Sequence, residues 1–444
     1  MRNNIIIGIV ALVIGSFIGF KVTESFGREY IMNNLPIPKG TLDDKDVFIE
    51  SIPEGNSLIP KSLTSVERKA ENIILLIGDG MSISQVSSYR LLKGGPNERI
   101  SVDKFPVSGI VLTHSEDAIV TDSASSATAY STGFKTNNGA LGLDKDNTKL
   151  ENLTEKISRH GFVSSLIATS EVTHATPAAF ASHVDLRWKT DEISTQMVDS
   201  NVTTILGGGR HFFMTEEMGG KREDGRDLLA EVKNSHILLT HKDQLNDFDK
   251  SNLEKVMGLF ADEHLRDIEK PDNHSTEPTL SEMLDFAIKR SESYKANGCD
   301  GSFIMVEGSQ VDWAGHSNNI NYLRREMQDF DEAVELAMNY AKENQDTLVV
   351  VTADHETGGL LIEPADPTDY TGNEVKFSFN TAIGRGSHTG VPVPIYAYGP
   401  GSENFTGTLD NTDVYKAMIA ALDLSEEVGS CLKKIGLFRS LSYE

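Results

Sequence analysis

The sequence predicts an α/β protein, a three-layer sandwich with a central, mostly parallel β-sheet flanked by helices. Two observations carry that prediction. Short, nearly continuous apolar runs recur at 72–77 (NIILLI), 164–168 (SSLIA), 303–306 (FIMV), 347–351 (TLVVV) and 394–398 (PIYAY). Strands covered on both faces of a parallel sheet have this character, whereas half-exposed strands alternate. Stretches with helical apolar spacing lie between them, the clearest over 323–344, and alternating strands and helices build a parallel layer with helices on both sides.

The chain has 444 residues, enough for one large domain or two smaller ones with a sizeable core. Met1-Arg2-Asn3-Asn4 precedes an apolar run over 5–20 that ends at Lys21. That run is short for a membrane span of ~20 residues, so 1–27 reads as a signal peptide or an N-terminal membrane anchor, and either one exports the protein to the periplasm or beyond. Residues 28–68, rich in Pro, Asp, Ser and Asn, read as an arm or linker. The catalytic domain is expected over 69–424, with a polar insertion around 210–300 and a C-terminal tail over 425–444. A net charge of −25 argues against nucleic acid or an anionic membrane surface as a partner, since both need basic patches. It also means that an anionic substrate needs local cations to reverse the field. Cys299 and Cys431 fit no metal or redox spacing, and whether they pair is open.

The segment 121–129 (TDSASSATA) places Ser123 between Asp122 and a run of small, helix-compatible residues, with Gly133 as the stop. A serine at a helix N-terminus sits where free N–H groups and the dipole favour an anion. Its hydroxyl is a poor nucleophile without a base or a metal to activate it.

Strand ends supply the activator. Asp79 follows the first apolar run, Glu307 follows 303–306, and Asp354 with His355 follows 347–351. In open α/β sheets ligands bind beyond the carboxyl ends of strands. Three carboxylates gathered there repel one another unless cations neutralise them. Asp312 and His316 are spaced to share one metal, and His388 lies in a Gly-Ser-His-Thr-Gly turn. Mixed His and carboxylate sets suit zinc, and oxygen-only sets suit magnesium. His114, His160, His183, His211, His236 and His241 read as ordinary surface or hydrogen-bonded residues.

Taken in order, Ile77-Gly78-Asp79-Gly80-Met81, Thr121-Asp122-Ser123-Ala124-Ser125, Thr176-Pro177, Val306-Glu307-Gly308, Val311-Asp312-Trp313-Ala314-Gly315-His316, Thr352-Ala353-Asp354-His355-Glu356-Thr357-Gly358-Gly359 and His388-Thr389-Gly390 resemble the motifs of bacterial alkaline phosphatases. The resemblance implies a phosphomonoesterase with two zinc ions and one magnesium, working at alkaline pH through a phosphoserine. It assigns Asp312, His316 and His388 to the first zinc. Asp79, Asp354 and His355 go to the second, with Ser123 as exchangeable ligand and nucleophile. Asp79 bridges to a magnesium that Thr176 and Glu307 also bind. Arg187 aligns with the arginine that grips substrate phosphate, and small-molecule phosphate monoesters are the expected partners. A homodimer is also implied, although the short stretch between His355 and His388 leaves little room for a large crown insertion.

His174 and Trp313 stand where enterobacterial-type enzymes carry an aspartate and a lysine, and the pair looks like the form in marine and cold-adapted relatives. That places His174 beside the magnesium and weakens the expectation of magnesium there relative to zinc elsewhere. Of the alternatives, a sulfatase needs a Cys-x-Pro-x-Arg segment that neither cysteine provides. A diesterase or a catalytically silent metal-binding protein is disfavoured by Arg187 and by the full ligand set.

Overall fold

The computed structural model describes residues 63, 67–267, 276–368, 373–382, 385–422, 424 and 427–434. The leader or anchor expected over 1–27 lies outside them, as do nearly all of the arm and most of the C-terminal tail. Among the described residues no helix is long and apolar enough to cross a membrane.

A ten-stranded sheet forms the middle layer. Its strands are β1 (Asn72–Gly78), β2 (Val107–Leu112), β3 (Phe162–Glu171), β4 (Thr204–Gly208), β5 (Ile237–Leu239), β6 (Val256–Leu259), β7 (Gly301–Gly308), β8 (Thr347–Thr352), β13 (Val393–Tyr398) and β14 (Gly407–Asp410). Two short antiparallel pairs lie outside it: β9 (Glu356–Thr357) with β12 (His388–Thr389), and β10 (Leu360–Pro364) with β11 (Val375–Phe379). The order in the sheet is β14-β2-β13-β8-β1-β7-β3-β4-β6-β5. Only β13 runs against its neighbours; the other pairings are parallel. The apolar runs expected as strands are β1, β3, β7, β8 and β13. All residues of β1, β7 and β8 are buried, which is why their sequences show no alternation.

Helices cover the sheet. A first group comprises α1 (Ile83–Gly94), α4 (Leu280–Ala296) and α6 (Ile320–Glu343), with α6 packed on both α1 and α4 and on β1, β7 and β8. Leu323, Met327, Phe330, Val334, Ala337 and Ala341 form the buried stripe of α6, at the spacing of one helix face. The other group includes α2 (Ser123–Thr132), α3 (Ala175–Ala178) and α7 (Asn411–Ala421), with α2 packed on both of the others. One further helix, α5 (Gln310–His316), leads out of β7 toward α6.

The polar stretch 210–300 is woven into this architecture. It supplies β5 and β6 at one sheet edge, and α4 packs on β3 and β7. Cys299 and Cys431 form a disulfide that ties the entry to β7 to the C-terminal segment.

Candidate active site

Strands β8, β1 and β7 are adjacent and parallel, so their carboxyl ends open on one edge of the sheet. Asp79 follows β1, Asp354 and His355 follow β8, and Glu307 is the penultimate residue of β7. Asp79, Glu307, Asp354 and His355 are fully buried. The turn after β1 needs Gly80. Its φ is +76°, and a Cβ there would come within 2.8 Å of the Asp312 backbone, so α5 can approach only because that position has no side chain.

Ser123 opens α2. Asp122 caps the helix, its Oδ1 accepting from the Ser125 N–H at 3.0 Å, and Gly133 closes it in the left-handed conformation. Two bonds pin α2 to the end of β8: Ser126 Oγ donates to the Asp354 carbonyl at 2.8 Å and Tyr130 Oη to the Ala353 carbonyl at 2.6 Å. The helix start is thereby aimed at the strand ends, and Ser123 Oγ lies 3.2 Å from His355 Nε2.

The histidine tautomers follow from their second contacts. His316 Nδ1 lies 2.6 Å from the Gly386 carbonyl and His388 Nδ1 lies 3.0 Å from the Thr121 carbonyl. A carbonyl only accepts, so both Nδ1 atoms carry the proton. The Thr357 hydroxyl gives its one proton to Asp312 Oδ1, so His355 Nδ1, 3.2 Å away, donates to it. On a neutral ring that leaves the Nε2 lone pair turned inward, and although burial lowers the His316 pKa, the Asp312 carboxylate outweighs it and raises that ring above its usual value. His316 Nε2 is 3.2 Å from Asp312 Oδ2 and His388 Nε2 is 3.6 Å from Asp312 Oδ1. His355 Nε2 is 3.3 Å from Asp354 Oδ2 and 3.5 Å from Asp79 Oδ1. Lone pairs facing carboxylates at such distances call for a cation between them.

Unpartnered polar atoms mark the same place. Both carboxylate oxygens of Asp79, Asp354 Oδ2, Glu307 Oε1, Thr176 Oγ1 and His174 Nδ1 are buried without a hydrogen bond. Asp354 Oδ1, by contrast, is held by the N–H groups of Gly80 and His355. Burial, then Asp354, Asp312 and Glu307, push the Asp79 carboxyl well above its usual range. Burial raises Glu307 to about 7 and, with Asp312, raises Asp354 to about 6. Burial keeps His355 neutral, its pKa well below the usual value, so a proton on that ring is not the missing cation. A metal ion fits this donor set.

Among the described residues, three clusters have ligand atoms close enough to share an ion: Asp312, His355 and His388; Asp79, Asp354 and His355; Asp79, His174 and Glu307. His316 joins the first through Asp312, and its ring is 5.1 Å from that of His388. Thr176, in the first turn of α3, lies beside Glu307. The third cluster includes His174, which the sequence placed beside the magnesium.

Arg187 reaches in from the loop after α3. Its Nη1 donates to Asp122 Oδ2 at 3.1 Å and its Nη2 to His174 Nε2 at 3.0 Å. The residues that the resemblance assigned to the metals, the nucleophile and the phosphate are thus brought to one edge of the sheet.

A family model described as alkaline phosphatase matches residues 70–377 and 362–424. The chain belongs to the alkaline phosphatase family. Alkaline phosphatase 3 of Bacillus subtilis (strain 168) is 34% identical over 453 residues, covering 85% of this chain and 94% of that protein. The alkaline phosphatase of Escherichia coli (strain K12) is 31% identical, covering 81% and 87% respectively. The structure of alkaline phosphatase from the Antarctic bacterium TAB5 superposes with a TM-score of 0.72 at 35% identity, over 81% of this chain and 100% of that one. A histidine-to-aspartate mutant of the TAB5 enzyme has Mg bound in its M3 site, with a TM-score of 0.69, 34% identity and coverage of 80% and 98%. The chain is accordingly a phosphatase that hydrolyses phosphate monoesters with the help of metal ions.

Two neighbours of the phosphatase site were not legible in its sequence. Thr357 stands in a quoted motif, yet nothing in its residue type shows that it links Asp312 to His355. His264 sits in the short polar loop that follows β6, where its residue type alone gives no sign of a partner. It packs its ring 4.1 Å from that of Trp313, which meets His174 edge-on at 6.1 Å, and it pairs with Glu171.

Proposed function

We propose that this phosphatase works at alkaline pH through a covalent phosphoserine on Ser123, with two zinc ions and one magnesium. The observation that carries the reading is the Ser123 hydroxyl 3.2 Å from His355 Nε2, next to unpartnered oxygens of Asp79 and Asp354. Asp312, His316 and His388 would hold the first zinc. Asp79, Asp354 and His355 would hold the second. Asp79, Thr176 and Glu307 would hold the magnesium, with His174 at hand. When bound, the ions lower the pKa of the serine hydroxyl and neutralise charge on the phosphoryl and leaving oxygens.

The chain's own residues do the rest. The N-terminus of α2 presents N–H groups and its dipole to the phosphoryl group. Arg187 binds two phosphoryl oxygens with its planar fork, and Asp122 holds that fork in place. Ser123 Oγ bonds to phosphorus as the bond to the leaving oxygen breaks. Water then displaces the serine, releasing phosphate. Each displacement inverts phosphorus, so the sum is retention.

The basic flank and apolar run at the N-terminus support an exported protein, as does the disulfide, because disulfides persist in oxidising compartments.

The test is hydrolysis of p-nitrophenyl phosphate at alkaline pH by protein reconstituted with zinc and magnesium. Activity should vanish with a chelator and return with both ions. No activity in the reconstituted protein would sink the reading, and a faster rate on a matched diester would replace it with a diesterase.

A further inference from the structure

The chain has two tryptophans, and both lie beside the site. Trp313 is partly covered and packs against His264 and His174. Trp188 is different, being 62% exposed. A single exposed apolar side chain is ordinary on a protein surface, and it is the position of this one that matters. The Arg187 guanidinium lies 5.2 Å from the Trp188 ring centroid, and the same guanidinium is bonded to Asp122, the residue before Ser123. The indole therefore borders the spot where a phosphoryl group on Arg187 and Ser123 would sit. Leu186, on the other side of Arg187, is exposed too, as are Ile119 and Val120 just ahead of Asp122 and Val391 after His388.

An exposed indole beside Arg187 offers little to a small hydrated alcohol. It offers a flat apolar face to a planar group leaving from phosphorus. Resting on the phosphomonoesterase reading above, we propose that Trp188 is a specificity-determining residue. Its indole stacks on aromatic leaving groups, so that aryl and nucleoside monophosphates are favoured over alkyl monophosphates such as glycerol phosphate. Aromatic pairs of this kind correspond to a preference of roughly two- to tenfold.

The experiment compares kcat/KM for phenyl phosphate, adenosine monophosphate and glycerol phosphate in the metal-reconstituted wild type, Trp188→Ala and Trp188→Phe. The aryl-to-glycerol ratio should fall roughly two- to tenfold in Trp188→Ala and persist in Trp188→Phe. Phenyl phosphate and adenosine monophosphate arms separate a simple aryl group from a base held further from phosphorus, and selectivity for either one supports the proposal. A second readout is binding: phenylphosphonate should quench tryptophan fluorescence in the wild type more than methylphosphonate does, with the difference lost in Trp188→Ala. An equal loss on all three substrates would make Trp188 a positioning residue for Arg187 and overturn the proposal. A change of oligomeric state with unchanged ratios would assign the indole to subunit contact and overturn it as well. A wild type inactive on every substrate would instead sink the phosphomonoesterase reading itself.

Discussion

The Ser123 hydroxyl and His355 Nε2 lie 3.2 Å apart although 232 positions separate them in the chain. In a serine–histidine pair that works by proton transfer, the far ring nitrogen is oriented by a carboxylate and the near one takes the serine proton. Here the carboxylates lie on the other side of the ring. The far nitrogen donates to the Thr357 hydroxyl, and the near one faces Asp79 and Asp354 as well as Ser123. That arrangement gathers donors around a point and suits a metal-activated serine.

Thr357 holds this geometry from behind, donating to Asp312 and accepting from His355. Thr357→Val removes both bonds while keeping the volume. Zinc affinity should fall about 10- to 100-fold, measured by titration against a competing chelator, and Thr357→Ser should restore it.

Arg187 spans Asp122 and His174 with two different nitrogens. A lysine has one cationic head and cannot reproduce that fork. Arg187→Lys should lower kcat/KM on p-nitrophenyl phosphate roughly 10- to 100-fold and weaken inhibition by inorganic phosphate. An unchanged inhibition constant would remove Arg187 from the phosphate site.

Stripping the metals should make stability depend on pH in a particular direction. Asp354 is raised from 3.8 to about 6 and Glu307 from 4.5 to about 7. Folded pKa values above the unfolded ones mean that the folded state holds protons the unfolded chain releases. The stabilisation is fully present below about pH 4 and lost as pH rises through 6 to 7, a change on the order of a few kcal/mol. Because burial holds His355 and His174 neutral and so works in the opposite direction below their usual range, the share of the acids is read by difference: the Tm of metal-free wild type should fall relative to that of metal-free Glu307→Gln across the window, and zinc and magnesium should flatten the wild-type profile. A wild-type Tm that rises relative to Glu307→Gln across the window would contradict it.

Much of the sheet was legible because its central strands are buried on both faces. β1, β7 and β8 each read as an apolar run, and the acids that end them fell together once those strands proved adjacent. The strands that lack such a run were hidden for physical reasons, whereas β3 and β13 read from theirs. In β2 most positions are half-buried or exposed, and Gly109 interrupts the run. β4 ends in Gly207 and Gly208. β5 and β6 have only three and four residues and take their order from neighbours. The route of His388 was equally invisible: the short β9–β12 pair sets it opposite Thr357, and no local pattern encodes that register. The cysteine pairing also depends on the fold, since 132 positions separate the two residues.

The net charge of −25 is met at the site by Arg187, the α2 N-terminus and the ions that the clustered carboxylates require. All three converge on Ser123, so the account stands or falls on that hydroxyl. The direct measurement is rapid acid quench of metal-reconstituted protein during turnover, followed by mass spectrometry of the peptide containing Ser123. Phosphate should be found on Ser123, with none in Ser123→Ala and a rate loss there of at least about a thousandfold. Full turnover in Ser123→Ala, or inversion at phosphorus with an isotopically chiral monoester, would contradict it.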